Sequence, residues 1–209
     1  MRLGLITLVL SALILVSACH DPAANKSHAV TSEPAAPSPQ AAASGQKFLL
    51  TPEHCEIKFT ASQVTGPHSA TFQKFSGEID YAGAPEASRV SVNIDTSSLN
   101  ADDPKLTKHL KTPDFFDVAK YPTATFVSTA IKAGGEKGAS HTVTGNLTLH
   151  GVTKSVTFPA TIGVTPDAIN VDADFTLNRH DFNLNYVGAA DNLVRDNVEL
   201  VLKVHATKS

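Results

Sequence analysis

The clearest pattern in the chain is a two-residue alternation of apolar and polar positions over residues 143–162. Before His150-Gly151 the apolar side chains occupy odd positions, and after it they occupy even positions. A period of two is typical of a strand with one buried face. The change of parity is expected for a hairpin that reverses direction while keeping its apolar side on one core. The stretch therefore predicts an antiparallel hairpin that turns at His150.

The same alternation recurs along most of the chain and predicts an all-β domain. It predicts strands at residues 47–50, 55–64, 70–81, 89–95, 124–131, 168–177 and 192–206, in addition to the hairpin. It breaks near residues 104–116, where Asp103-Pro104 is a typical helix start and Leu106 and Leu110 form one apolar stripe. About eight alternating strands favour a closed antiparallel sheet, or a sandwich, with one apolar interior and a short helical insertion.

The first 46 residues have a different composition and are not expected to belong to the barrel. Residues 1–18 predict a lipoprotein signal peptide, because one arginine precedes a 14-residue, mostly apolar stretch and small residues precede Cys19. Acylated Cys19 would anchor the exported chain on the periplasmic side of a membrane; ordinary cleavage that leaves a free Cys19 is the alternative. His20 after Cys19 favours outer-membrane sorting. Residues 19–46 are rich in Ala, Pro and Ser and predict a disordered tether, which leaves 47–209 as the folded domain.

Charge and cysteine content narrow the possible functions. The chain has 17 Lys and Arg against 20 Asp and Glu, a net charge of −3, without a basic patch. Nucleic acid is therefore a disfavoured partner. Cys55 is the only cysteine besides Cys19. It is in phase with Ile57 and Phe59 and is interpreted as a small buried side chain, with a reactive thiol as the alternative.

No recognised catalytic or metal-binding motif stands out in the sequence. The nine histidines lack H-x-x-x-H spacing, and there is no G-x-S-x-G, P-loop or G-x-G-x-x-G motif. We therefore expect no catalytic residue, no metal and no cofactor other than a non-covalently bound lipid. An enzymatic alternative would need a histidine and an acid facing the interior, and His109 with Asp114 or His180 with Asp181 are the first candidates.

Several motifs resemble the YceI-like family, named for polyisoprenoid binding. They are T-F-Q-K-F-S-G-E-I at residues 71–79, H-L-K-T-P-D-F-F-D at 109–117, K-Y-P-T-A-T-F at 120–126 and V-T-G-N-L-T-L-H-G-V-T-K at 143–154. They occur in the family's order, and the resemblance extends over nearly the whole folded part. It implies a lipocalin-like antiparallel barrel that holds an amphiphile with a long isoprenoid tail, such as a quinone or a polyprenyl phosphate. It implies no enzymatic activity.

The apolar phase of the strands and the helical insertion supplies the candidate ligand-binding side chains. They are expected to line the barrel as follows: Ile57, Phe59, Phe72, Phe75, Val92, Ile94, Leu110, Phe115, Phe116, Phe126, Leu147, Leu149, Val156, Phe158, Phe175, Leu177, Phe182, Leu200 and Leu202. Three hypotheses remain at this point. The protein binds or carries an isoprenoid lipid near the membrane, it is a hydrolase or isomerase acting on such a lipid, or it is a packed interaction module with no small ligand. The oligomeric state is not predicted.

Overall fold

The computed structural model describes residue 23, residues 25–36 and residues 45–209. Its strands are β1 (Ser27–His28), β2 (Val30–Ser32), β3 (Gln46–Leu50), β4 (Glu56–Gln63), β5 (Gly66–Phe72), β6 (Phe75–Tyr81), β7 (Arg89–Asp95), β8 (Leu99–Ala101), β9 (Thr123–Ala133), β10 (His141–Leu149), β11 (Val152–Val164), β12 (Ala168–Asn178), β13 (Gly188–Ala189), β14 (Asn192–Leu193) and β15 (Asn197–Lys208). Helix α1 is Pro104–Leu110, and 3-10 turns lie at Pro85–Ala87, Thr96–Ser98, Glu136–Gly138 and Arg179–Phe182. The predicted signal peptide at 1–18 and Cys19 lie outside these residues.

Eight strands close into an antiparallel barrel, as predicted. Their order around the barrel is β12, β11, β10, β9, β7, β6, β3 and β15, and β15 pairs with β12 along its whole length to complete the ring. Closure pairs every strand of the ring with two neighbours over at least part of its length, so the inward face of every strand can be apolar. Beyond the end of β3, the edge of β15 is taken over by β4, which pairs in turn with β5, and β5 with β8.

The hairpin at residues 143–162 is confirmed, with its turn where the parity changes. Strand β10 pairs with β11 through Val143 opposite Phe158 and Leu149 opposite Val152. The two turn residues have positive φ angles, 50° at His150 and 76° at Gly151, which suits the twist of a two-residue hairpin. Glycine is required at 151 for a second reason, because a Cβ there would collide with the ring of Tyr121.

The helical insertion is also confirmed, and it covers one end of the barrel, the cap end. Asp103 begins α1 by accepting a hydrogen bond from the backbone N–H of Leu106 at 2.8 Å. The helix buries Leu110, and the following turn buries Phe116. The opposite end, the loop end, carries the connections at residues 82–88, 134–140 and 165–167.

The predicted single strand at residues 70–81 is wrong, because the chain turns at Gln73-Lys74. Strand β5 pairs with β4 and β8, whereas β6 belongs to the barrel between β3 and β7. The predicted strand at 192–206 is likewise divided into β14 and β15. At 192–206 the alternation continues across the break, so a pattern of period two does not reveal it. At 70–81 the apolar positions do change parity, from Phe72 to Phe75, but this change was interpreted as a bulge or bend near Ser76-Gly77 within one strand.

Part of the predicted tether is ordered against the barrel wall, which corrects that prediction for residues 25–36, here called the strap. Strand β1 pairs in parallel with β12, with Ser27 opposite Phe175, and β2 pairs with β11, with Thr31 opposite Val156. Low hydrophobicity argued for disorder, but the strap is held by backbone hydrogen bonds to strand edges that would otherwise lack partners. Composition cannot reveal an unpaired edge elsewhere in the fold.

In the described part of the chain, no helix has the length and hydrophobicity needed to cross a membrane.

Candidate functional site

The barrel encloses an apolar cavity of about 160 Å³. Every residue that lines it is aliphatic, aromatic or cysteine, and the set includes no hydroxyl, amide or charged side chain: Leu50, Cys55, Ile57, Phe75, Ile79, Val90, Val92, Ile94, Phe126, Ile131, Val143, Leu147, Val156, Phe158, Ile162, Val171, Phe175, Leu177, Leu200, Leu202 and Val204. Such a lining offers dispersion contacts and no hydrogen bond, so it suits a hydrocarbon group.

Most of the candidate side chains do lie on this cavity. The structure brings together Ile57, Phe75, Val92, Ile94, Phe126, Leu147, Val156, Phe158, Phe175, Leu177, Leu200 and Leu202. The ring of Phe126 lies against Gly145 of the neighbouring strand, where any Cβ would collide with it. Glycine at 145 therefore lets this ring sit close to the wall.

Sequence reasoning missed the lining residues nearer the loop end. They are Leu50, Cys55, Ile79, Val90, Ile131, Val143, Ile162, Val171 and Val204. Seven of them share the inward phase of a chosen residue, as Val90 does with Val92 and Val204 with Leu202. Leu50 lies on β3, where no residue was chosen, and Ile131 follows a β-bulge that reverses the phase set by Phe126. Consistent use of strand phase would have found those seven, while the burial of Cys55 confirms its interpretation as a small core side chain.

Four candidates close the cap end of the barrel and do not line the cavity. The rings of Phe59, Phe72 and Phe116 contact one another, with centroids 5.6 to 6.0 Å apart. Leu110 is buried in the same hydrophobic cluster. These four residues are here called the cap. Phe59 and Phe72 were predicted as lining because the strand phase gives the direction of a side chain but not its height along the barrel. Leu110 and Phe116 belong to the helical insertion, for which capping of a barrel end was also expected.

The remaining three candidates lie elsewhere at the cap end. Phe115 lies outside the cap, where its ring packs against Tyr186 at 4.8 Å and His109 at 5.1 Å. Leu149 and Phe182 pack beside the His150 turn, and the His150 ring donates a hydrogen bond to the backbone oxygen of Phe182 at 3.2 Å. The 3-10 turn takes Phe182 out of the strand whose phase it seemed to continue.

Towards the loop end the cavity is followed by a second small space of about 20 Å³. It shares Ile79, Val90, Ile131, Ile162 and Val171 with the cavity lining and adds Tyr81, Pro85, Ser88, Val164 and Ile169. Val164 is partly exposed at this end. The apolar interior therefore continues in this direction, whereas aromatic rings close the cap end.

Neither candidate catalytic pair faces the cavity. His109 Nε2 lies 2.8 Å from Asp114 Oδ2, and His180 Nε2 lies 2.8 Å from Asp196 Oδ1, both on the outer surface. His180 therefore pairs with Asp196 rather than with Asp181, which accepts a hydrogen bond from a strap hydroxyl. No group of three or more metal-ligating side chains converges in the part of the chain that the structure describes.

A buried arginine organises the segment that follows the 3-10 turn at the cap end. Arg179 is 6% exposed, and its guanidinium donates hydrogen bonds to the backbone oxygens of Leu184, Val194 and Arg195. Burial lowers the pKa of Arg179, and the carboxylate of Asp196 opposes this shift. The side chain thereby holds residues 184–195 against the barrel.

The motifs and the fold agree with a sequence comparison in which the YceI-like domain matches residues 48–206. The chain belongs to the YceI-like domain family. A UPF0312 protein of Pseudomonas putida strain W619 is 48% identical over 126 residues, which cover 57% of this chain and 65% of that protein. A UPF0312 protein of Pseudomonas fluorescens strain SBW25 is 40% identical over 137 residues, which cover 62% of this chain and 70% of that protein. The chain thus spans only about two thirds of the length of these relatives.

Solved structures share the YceI-like barrel. BcnA of Burkholderia cenocepacia superposes with a TM-score of 0.67 at 26% identity, covering 76% of this chain and 99% of that one. A polyisoprenoid binding domain from Saccharophagus degradans superposes with a TM-score of 0.62, covering 78% of this chain and 99% of that one. At 18% identity, the second likeness establishes the shared fold alone.

Proposed function

We propose that this YceI-like protein binds the tail of an isoprenoid lipid inside its barrel. The observation that carries the proposal is the cavity lining, which is entirely apolar apart from the thiol of Cys55. Burial of hydrocarbon contributes about 0.8 kcal/mol per CH₂ group, so each isoprene unit adds to the affinity without any polar contact. The shared fold of the Saccharophagus degradans domain supports the same class of ligand.

The size of the cavity limits how a long tail can be held. Ligand pockets for drug-sized molecules typically have about 300–1,000 Å³, and a cavity of about 150 Å³ holds a benzene ring. The cavity here, about 160 Å³, takes roughly one isoprene unit. A longer tail must displace lining side chains or extend past Val164 at the loop end, with a quinone or phosphate head group left outside the apolar interior.

A binding role explains the interior better than an enzymatic one. A hydrolase or isomerase acting on the lipid would need an acid or base within hydrogen-bond reach of it. The candidate His–Asp pairs are on the outside, and the cavity lining offers only the thiol of Cys55, which is buried with no base in the lining. The interior therefore suits retention of a lipid tail.

Filling the cavity tests the binding proposal. We expect Val92→Phe to weaken the binding of retinol, an isoprenoid alcohol, about tenfold or more, because the added ring takes space that the tail needs. Fluorescence titration of the lipid-free protein measures the affinity, and thermal unfolding verifies that the variant is folded. Val64→Phe is the matched control, since Val64 is 66% exposed on a surface turn. Equal affinities in the two variants would rule out the cavity as the tail site.

The protein's location is the second part of the proposal: it is exported and anchored by acylated Cys19, with the outer membrane as the favoured destination. The ordered strap shortens the tether. Asn25 lies beside Lys137 in a loop-end connection, and the six residues from Cys19 span at most about 20 Å. The anchor would thus hold the loop end of the barrel close to the bilayer that supplies the lipid.

Metabolic labelling tests the anchor. Cells expressing the full chain and fed an alkyne-tagged fatty acid are expected to yield a labelled protein in the membrane fraction, and Cys19→Ala is expected to abolish the label. Cys55→Ala is the control, since Cys55 is buried in the barrel and should not affect labelling. A soluble, cleaved and unlabelled wild-type protein would instead support ordinary signal cleavage.

A further inference from the structure

Strands β11 and β12 separate halfway along the barrel. They pair with each other only near the loop end, from Val164 opposite Ile169 to Thr161 opposite Asp172. Towards the cap end both strands continue, but their facing edges no longer bond to each other. β2 of the strap pairs with residues 155–157 of β11, and β1 pairs with residues 175–176 of β12. The wall therefore has a gap here, the fork, and the strap fills it.

The strap is held in the fork by two very short strands and by separate side-chain contacts, among them Thr31 with Asp181, Glu33 with Lys154 and Ala35 with Asn146. Its strands are only two and three residues long. Lys26 forms ion pairs with Asp174 and Glu199, but the Lys26 side chain is 30% exposed, and partly exposed ion pairs stabilise weakly. The hydroxyl of Ser27 is buried with no hydrogen-bond partner among the described residues, which costs stability in the docked position. Such a segment is among the first to detach locally.

Behind the strap, the cavity is closed by two stacked rings. Phe158 of β11 and Phe175 of β12 lie nearly parallel, with centroids 4.4 Å apart and an angle of 12° between their planes. Both rings line the cavity. Because the strands that carry them share no hydrogen bonds at this height, the rings can separate without breaking a ladder between β11 and β12.

On the outer surface, a pocket of about 420 Å³ lies at the base of the fork. It is bordered by the start of the strap and by residues of the wall and the 136–139 loop, among them Ala160, Ala173 and Leu202, whose strand phase is inward. Leu202 also lines the cavity. The pocket and the cavity thus adjoin the same stretch of wall.

We infer that the fork is a side entrance to the cavity and that the strap is its door. The inference rests on the proposed isoprenoid binding. The apolar tail enters between β11 and β12 when the strap detaches and the rings of Phe158 and Phe175 part. The polar head group stays in the fork pocket, where Lys26, Lys137 and Asp172 offer hydrogen-bonding groups. The strap begins only six residues after Cys19, the proposed anchor, so the entrance lies next to the tether.

Stapling the strap to both edges of the fork tests the entrance. Ser32 of the strap faces Ser155 of β11, and His28 faces Thr176 of β12. Neighbouring strands lie about 5 Å apart, which is within the Cα–Cα distance that a disulfide spans. In the full chain carrying cysteines at these four positions, we expect oxidation to slow retinol association and dissociation about tenfold relative to the reduced form, because the door cannot open. The affinity should change little, and peptide mapping verifies the pairing.

Two further variants make the result decisive. The double variant Thr148→Cys, Thr153→Cys staples β10 to β11 at a place away from the fork, where the two threonine hydroxyls lie 2.8 Å from each other. Its oxidation should leave the association and dissociation rates unchanged. Lys26→Ala removes the two ion pairs of Lys26, leaves that of Glu33 with Lys154, and should speed loading about threefold. Equal rates in the oxidised and reduced strap-stapled protein would overturn the side entrance while the binding proposal stands. Failure of the reduced and wild-type proteins to bind retinol would overturn both.

Discussion

Replacing Arg179 with methionine is expected to lower the free energy of unfolding by about 3 kcal/mol, because hydrogen bonds to a charged donor each contribute about 1.5–3 kcal/mol and unpaired buried acceptors are costly. The guanidinium bonds to the backbone oxygens of Leu184, Val194 and Arg195, with the last two distances 3.2 and 3.0 Å. Methionine fills similar space but donates nothing. Part of the loss is recovered if water reaches the freed carbonyls, which is why the expected cost is below the sum of the three bonds.

Urea unfolding followed by circular dichroism measures this change. Arg89→Met is the matched control, since Arg89 is exposed on β7, and it should shift the free energy of unfolding by less than about 0.5 kcal/mol. Arg179→Lys should restore only part of the stability, because an ammonium group cannot reproduce the planar fork of donors. If Arg179→Met were as stable as Arg89→Met, the arginine would not be what holds residues 184–195.

Truncating Phe116 is expected to cost about 3 kcal/mol, the lower part of the range for a buried Phe→Ala change. Phe116 is 7% exposed and contacts both Phe59 and Phe72, so its loss leaves a hole at the centre of the cap. The neighbouring residue provides the control. Phe115 is only half-buried and packs against His109 and Tyr186, so Phe115→Ala should cost about 1 kcal/mol, since water already covers part of its surface.

The same pair of variants separates the cap from the ligand site. Because Phe116 does not line the cavity, its truncation should lower stability more than it alters the affinity for retinol measured well below the unfolding midpoint. A loss of affinity as large as that expected for Val92→Phe, in a folded Phe116→Ala protein, would show that the tail reaches into the cap. Equal stability losses at 115 and 116 would contradict the assignment of Phe116 to the core of the cap.

The sequence by itself determined the repeating local features of this protein. The alternation of apolar and polar residues along β10 and β11 and the parity change at His150-Gly151 specify a hairpin with one buried face. The reason is that a strand presents successive side chains to opposite sides. Asp103-Pro104 specifies the start of α1, because capping is local. The motifs at 71–79, 109–117, 120–126 and 143–154 were enough to indicate the family, which the match over residues 48–206 confirmed.

Only the tertiary structure decided which inward side chains surround space and which plug it. Phe59 and Phe126 have the same phase and chemistry in the sequence, yet one belongs to the cap and the other to the cavity, because their heights along the barrel depend on strand register. The strap is the second case. Nothing in residues 25–36 predicts a strand, and their order follows from unpaired edges that exist only after β11 and β12 have diverged. The height of a side chain along the barrel and the partner of a strand edge both depend on residues far away in the sequence. The local pattern of apolar and polar positions therefore does not contain them.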